Sequence, residues 1–195
     1  MRFRTLVLNM YGLMALLLLP ACTAAMIPQT RFLLYIESSQ EDGYLYRWEK
    51  VKFQATNEFD VPNPQWEALK AAANTPQKIQ KLVNEFPYHT DYSQFQQDEY
   101  WQTPYEFLAH GGGDCEDYAI TKYYLMKNIG YTDDQLQIVL LKVPGGEGHA
   151  VLTVKIGDKV YLMDNRYVKM IDVTKIPEEY RPYYGMNDHH YFKYF

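Results

Sequence analysis

The stretch HGGGDCEDYAI, residues 110–120, places a cysteine just after three glycines and among carboxylates: Asp114 before Cys115, Glu116 and Asp117 after it. A thiol attacks as its thiolate. It therefore needs a lowered pKa, a base to take its proton and a third group to orient that base. Three carboxylates within two residues work against this, because like charge raises a thiol's pKa. A helix start offsets the effect only in part, at roughly 0.3–1 kcal/mol per charge. The bland alternatives are a buried structural thiol and an acidic N-cap that complements the helix dipole.

A base must come from His89, His110, His149, His189 or His190. His149 is the best placed. HAVLTVKI and KVYLMDNRY flank Gly157-Asp158 and read as a β-hairpin. With that turn, Ile156 opposes Lys159, Val151 opposes Asp164 and His149 opposes Arg166. His149 and Asp164 then share a face as diagonal neighbours, roughly 7 Å apart by backbone. A slip of one residue would separate them. Taken singly, His149 could be a strand histidine satisfied by backbone, and Asp164 a turn residue. His110 precedes the glycine break and reads as a loop residue. His189 and His190 read as a terminal polar pair, and without HxxxH spacing zinc is disfavoured. Trp101 and Gln102 are candidates to line a cleft or assist an oxyanion; the backbone N–H of Cys115 is the safer donor.

These residues need elements to hold them. NPQWEALKAAAN and TPQKIQKLVNEF each open on an N-cap residue with proline next, a helix start. TPYEFLAH repeats that opening, with Glu106 three residues after Thr103. RWEKVKF predicts a short strand or helical turn, and residues 87–103 a long loop. A helix is expected from Asp114 to about Ile129, capped by Gly130. LQIVLLKV, residues 136–143, has a buried-strand pattern. Helices followed by antiparallel strands predict a single α+β domain.

The chain opens like an exported protein. Arg2 and Arg4 precede LVLNMYGLMALLLL and then PACTAA, the three parts of a secretory leader. A membrane span would need about 20 apolar residues, and Asn9 interrupts a shorter run. Residues 1–25 read as leader and 26–195 as the domain. LPAC resembles a lipobox, with cleavage before Cys22 and a lipid anchor on it; a cut after Ala25 is the alternative. Either way Cys115 is left without an intramolecular partner in an oxidising compartment, which marks it as a reactive group. Loss of residues 1–21 removes two arginines and moves the formal net charge from −5 to −7. An acidic exported chain without a basic cluster argues against nucleic acid as a partner.

The order Cys115, His149, Asp164 is that of papain-like and transglutaminase-like enzymes. WQTPYEFLAHGGGDCEDYAITKYYLMKNIG, followed by GHAVLTV and YLMDNRY, resembles the bacterial transglutaminase-like cysteine proteinases, the LapG-type periplasmic proteases, over roughly residues 45–190. The resemblance implies an α+β, papain-like fold with the nucleophile at a helix start, packed on an antiparallel sheet. Cys115 would be the nucleophile, His149 the base and Asp164 the orienter. It also implies a periplasmic endopeptidase that cleaves the N-terminal region of a large surface adhesin and so controls biofilm attachment. Its implied partner is an inner-membrane cyclic-di-GMP receptor that sequesters it. Calcium is the implied cofactor, on Asp114 and Glu116, with Asp117 a further candidate. A cation would invert the local field, calcium favours carboxylate and carbonyl oxygens, and a flexible glycine run could supply carbonyls. Two other readings stay open: acyl transfer or deamidation by the same triad, and a non-catalytic calcium-dependent binding protein.

Overall fold

The computed structural model describes Phe32, residues 35–37 and residues 43–195. The expected leader, residues 1–25, and Cys22 within it lie outside the described residues. After a short strand β1 (Tyr35–Glu37) come six helices: α1 (Gly43–Phe59), α2 (Pro64–Ala72), α3 (Pro76–Val83), α4 (Asp91–Phe95), α5 (Pro104–His110) and α6 (Cys115–Asn128). Six strands follow: β2 (Leu136–Lys142), β3 (Gly148–Ile156), β4 (Lys159–Met163), β5 (Ile171–Asp172), β6 (Arg181–Met186) and β7 (Tyr191–Tyr194). They form one antiparallel sheet in the order β1-β7-β6-β2-β3-β4-β5. This is the α+β architecture the sequence predicts.

The caps explain where the helices start. Asn63 accepts from Gln65 N and Trp66 N at 3.0 and 3.1 Å, and Thr75 accepts from Lys78 N at 3.3 Å. Thr103 and Glu106 bond reciprocally, at 3.2 and 2.9 Å, and close a capping box on α5. RWEKVKF lies within the 17-residue helix α1, longer than either expectation, with Trp48, Val51 and Ala55 buried. Residues 87–103 are not all loop either: α4 interrupts them, started by the Thr90 cap. His110 is the last residue of α5, not a loop residue.

The apolar run of β2 has a simple reason. Ile138 and Leu140 pack with the helices on one face, and Val139 and Leu141 pack into a second cluster on the other. Both faces are covered, so alternation with polar residues is lost. Helix α6 lies against β3 and buries Ile120, Leu125 and Met126 completely. Each such side chain contributes roughly 1.5–3 kcal/mol, so the start of α6 rests on a rigid seat.

Candidate active site

Cys115 is the first residue of α6 and Asp114 its N-cap. Each glycine before them has its own constraint. Gly111, at φ 71°, closes α5 in the left-handed region. Gly112, at φ 137°, lies so close to Pro87 that a β-carbon would overlap its carbonyl. A β-carbon on Gly113 would overlap the side chains of Asp117 and Gln102. Gly112 and Gly113 are therefore closely packed, whereas a β-carbon on Gly111 would meet nothing within 4 Å. The carbonyls of Gly112 and Gly113 also have partners: Gly112 O accepts from Gln102 Nε2 at 3.2 Å, and Gly113 O from His89 N at 2.9 Å.

The hairpin forms in the predicted register, with Ile156 opposite Lys159 and Leu152 opposite Met163. Strand β4 ends at Met163, so Asp164 stands one residue beyond the ladder rather than inside it. The diagonal contact exists nonetheless. His149 Nε2 lies 2.9 Å from Asp164 Oδ1, and both residues are buried. The same oxygen accepts from Arg166 N at 2.8 Å, and Oδ2 accepts from Tyr180 OH at 3.2 Å. Burial opposes charge on Asp164, but the hydrogen bond and charge of His149, the Arg166 N–H and the Lys122 ammonium outweigh it and hold the carboxyl below its usual range. With Nε2 committed to Asp164, Nδ1 is the nitrogen left for Cys115. Both side chains line one cleft of about 340 Å³, walled by Tyr44, Trp101, Leu140 and Tyr183.

The electrostatics of Cys115 match the difficulty read in the sequence. Its Sγ donates to Glu116 Oε2 at 3.2 Å. Burial, the charges of Glu116 and Asp114 and that hydrogen bond all push the thiol up, against one favourable bond from the Ala150 N–H. Glu116 is pushed up to about 7, by burial first and then by Asp117. Asp114 rises to about 10, through burial and its interactions with Glu116. Asp117 is raised by burial and by Asp114, despite its bonds from Gln102. So many buried carboxylates cannot all be ionised without a cation.

The surroundings fit such a cation. Ligand atoms of Asp114, Cys115 and Glu116 lie within 4.8 Å of one another, as do those of Asp91, Asp114 and Asp117. Asp114 Oδ1 and Asp91 Oδ1 are buried without a hydrogen-bond partner, a state that is costly unless something binds them. Nothing in its sequence context marks Asp91 as a ligand. It is the first residue of α4, 3% exposed, with its other oxygen accepting from Tyr100 N at 2.5 Å. Asp117 serves the loop: it accepts from Gln102 N at 2.8 Å, Gln102 Nε2 at 2.7 Å and Asp114 N at 3.0 Å.

Trp101 lines the cleft, as expected. Gln102 does not: it is fully buried, its amide nitrogen bonds Asp117 and Gly112, and its oxygen meets His110 Nδ1 at 2.7 Å. That amide is unsuited to an oxyanion, whereas helix geometry leaves the Cys115 N–H without an intrahelical acceptor.

The description "bacterial transglutaminase-like cysteine proteinase, BTLCP" belongs to the family whose model matches residues 47–190. No curated protein matches the chain. Among solved structures, calcium-bound LapG of Legionella pneumophila is similar, at 26% identity and a TM-score of 0.58, over 74% of this chain and 86% of that one. EGTA-treated LapG of the same organism matches with the same identity and TM-score, over 74% and 84%. The fold, the glycine-led helix start and a family match covering most of the described residues lead to one conclusion: the chain belongs to the bacterial transglutaminase-like cysteine proteinases.

Proposed function

We propose that the protein is a calcium-dependent periplasmic cysteine endopeptidase that cleaves the N-terminal region of a large surface adhesin and thereby controls attachment. The observation that carries the reading is the buried His149–Asp164 pair, at 2.9 Å, beside Cys115 at a helix start in one cleft. His149 Nδ1 takes the proton of the Cys115 thiol, while Asp164 holds Nε2–H and stabilises the imidazolium. The thiolate attacks the scissile carbonyl, and the Cys115 backbone N–H faces the developing oxyanion. His149 returns the proton to the leaving amine. Water, activated by the same imidazole, then hydrolyses the acyl-enzyme.

Asp114, with Glu116 or with Asp91 and Asp117, would hold calcium, and Asp117 also latches the loop. Bound there, the ion would supply positive charge where the carboxylates otherwise oppose the thiolate. The leader supports export, and LPAC supports a lipid anchor at Cys22. An inner-membrane cyclic-di-GMP receptor that sequesters the protease completes the reading.

Purified protein, incubated with an N-terminal adhesin fragment with and without calcium, tests it. Cleavage is expected only with calcium and only with Cys115 intact. If intact fragment persists while an added amine is incorporated into it, the enzyme is an acyl transferase. If neither occurs, the catalytic reading fails.

A further inference from the structure

The segment that carries Asp164 is not held by the sheet. Strand β4 stops at Met163 and β5 begins at Ile171, so the backbone from 164 onward needs another anchor. Helix α3 and its C-cap residue, Asn84, supply it. Gln80 Nε2 donates to Asp164 O at 2.8 Å and to Tyr167 O at 2.7 Å. Asn84 Nδ2 donates to the same two carbonyls, at 3.1 and 2.9 Å. The two amides are four residues apart, hence neighbours on one helix face. Together they straddle a turn that is itself closed by Tyr167 N donating to Asp164 O at 3.3 Å.

Packing alone does not require this arrangement. Gln80 is 1% exposed, and a leucine there would seat α3 without burying polar atoms. Instead Gln80 Oε1 and Asn84 Oδ1 are buried with no hydrogen-bond partner, which is unfavourable for stability. The amide nitrogens have a use that the oxygens lack: they fix the backbone of the residue that orients His149. An orienting carboxylate must be held to within about 0.5 Å of its working position, and its own support decides whether it is.

We propose that Gln80 and Asn84 are positioning residues, a paired amide clamp on the 164–167 turn that sets the Asp164–His149 contact. The proposal rests on Asp164 being the orienter of the reading above. It adds that α3, which contributes nothing to the cleft wall, controls the rate of the chemical step.

The test uses Gln80→Met and Asn84→Leu, singly and together, on the calcium-loaded full-length protein. Each single variant leaves one donor on each carbonyl, so the fold is expected to persist. The double variant should lose about 10- to 100-fold in kcat, a fraction of the roughly 10⁴-fold effect of a misoriented histidine, with KM unchanged. Its His149 Nε2–H proton signal, read by NMR, should exchange faster than in wild type. In an Asp164→Asn background the same pair should change kcat little, because the group being positioned is already impaired. An equal loss of kcat in both backgrounds would mean a general structural effect and overturn the proposal. So would unchanged kcat and proton exchange in the double variant while Asp164→Asn remains impaired. If wild type cleaves nothing, the endopeptidase reading fails, and the proton signal still decides whether the clamp positions His149.

Discussion

Lys122 offers a quantitative test of how the site is built. It projects from α6 into the interior, fully buried, with its Nζ making no hydrogen bond and lying 5.8 Å from the centre of the Tyr118 ring. Burial drives the ammonium from its ordinary 10.5 down to about 7, against the pull of Asp164. The folded protein thus releases this proton near pH 7, whereas the unfolded chain keeps it until about 10.5. Between those values the unfolded state binds more protons, so stability rises with pH; below about 7 the full penalty is present. At about 1.4 kcal/mol per pH unit the penalty is on the order of 5 kcal/mol in acid, roughly 2 kcal/mol at pH 9 and close to zero above 10.5. Lys122→Met keeps most of the stem and removes the charge. In a Cys115→Ser background, which prevents self-digestion, it should raise the urea midpoint most at pH 6 and hardly at all at pH 10. Stability curves of parent and variant that stay parallel from pH 6 to 10 would refute the buried-ammonium account.

Other substitutions separate chemistry from architecture. Cys115→Ser and His149→Ala should abolish cleavage and leave the circular dichroism spectrum intact, while Asp164→Asn should lower kcat by up to about 10⁴-fold; near-native turnover by His149→Ala would dismiss the proposed base. EGTA should remove activity, calcium should restore it, and magnesium should do so poorly, because it demands a tighter shell and holds its water. Calorimetry on Cys115→Ser protein should register calcium binding that Asp114→Ala, Glu116→Ala and Asp91→Ala each weaken; a full signal in Asp91→Ala would remove that residue from the ligand set. Gly112→Ala should destabilise the protein by more than about 2 kcal/mol in urea, since it combines a left-handed φ with overlap onto the Pro87 carbonyl.

What was legible in the sequence was what local rules govern. Gly157-Asp158 fixes a hairpin turn, and the period of two then brings His149 near Asp164. Asn63, Thr75 and Thr103, each before a proline, mark three helix starts that the caps reproduce. Where packing decides, the signal fades. RWEKVKF has no cap or proline to advertise α1; Trp48 stays helical because it is buried, with its Nε1 donating to Asn187 O at 2.8 Å. RPYYGM and YFKY are rich in tyrosine, and they become β6 and β7 by pairing with β2 and with each other. Asp91 was invisible for a similar reason: it reaches Asp114 and Asp117 only because α4 folds back against the start of α6.

The acidic frame around Cys115 divides into two kinds of carboxylate, and sequence adjacency hides the division. Asp117 accepts from three protein donors and holds the Gly113–Asp114 backbone against Gln102, so its oxygens are engaged from within the fold, although burial and Asp114 still raise it. Asp114 and Glu116 are not engaged in that way. One Asp114 oxygen has no hydrogen-bond partner, and a Glu116 oxygen takes the proton-bearing thiol of Cys115. Glu116 is thus both a candidate ion ligand and the acceptor of the Cys115 thiol proton. An oxygen engaged by a divalent cation is a poorer acceptor for a thiol proton, so the two roles compete at one side chain. That competition would let this frame respond to calcium through the protonation of Cys115 while the fold, latched by Asp117 and the packed glycines, stays unchanged.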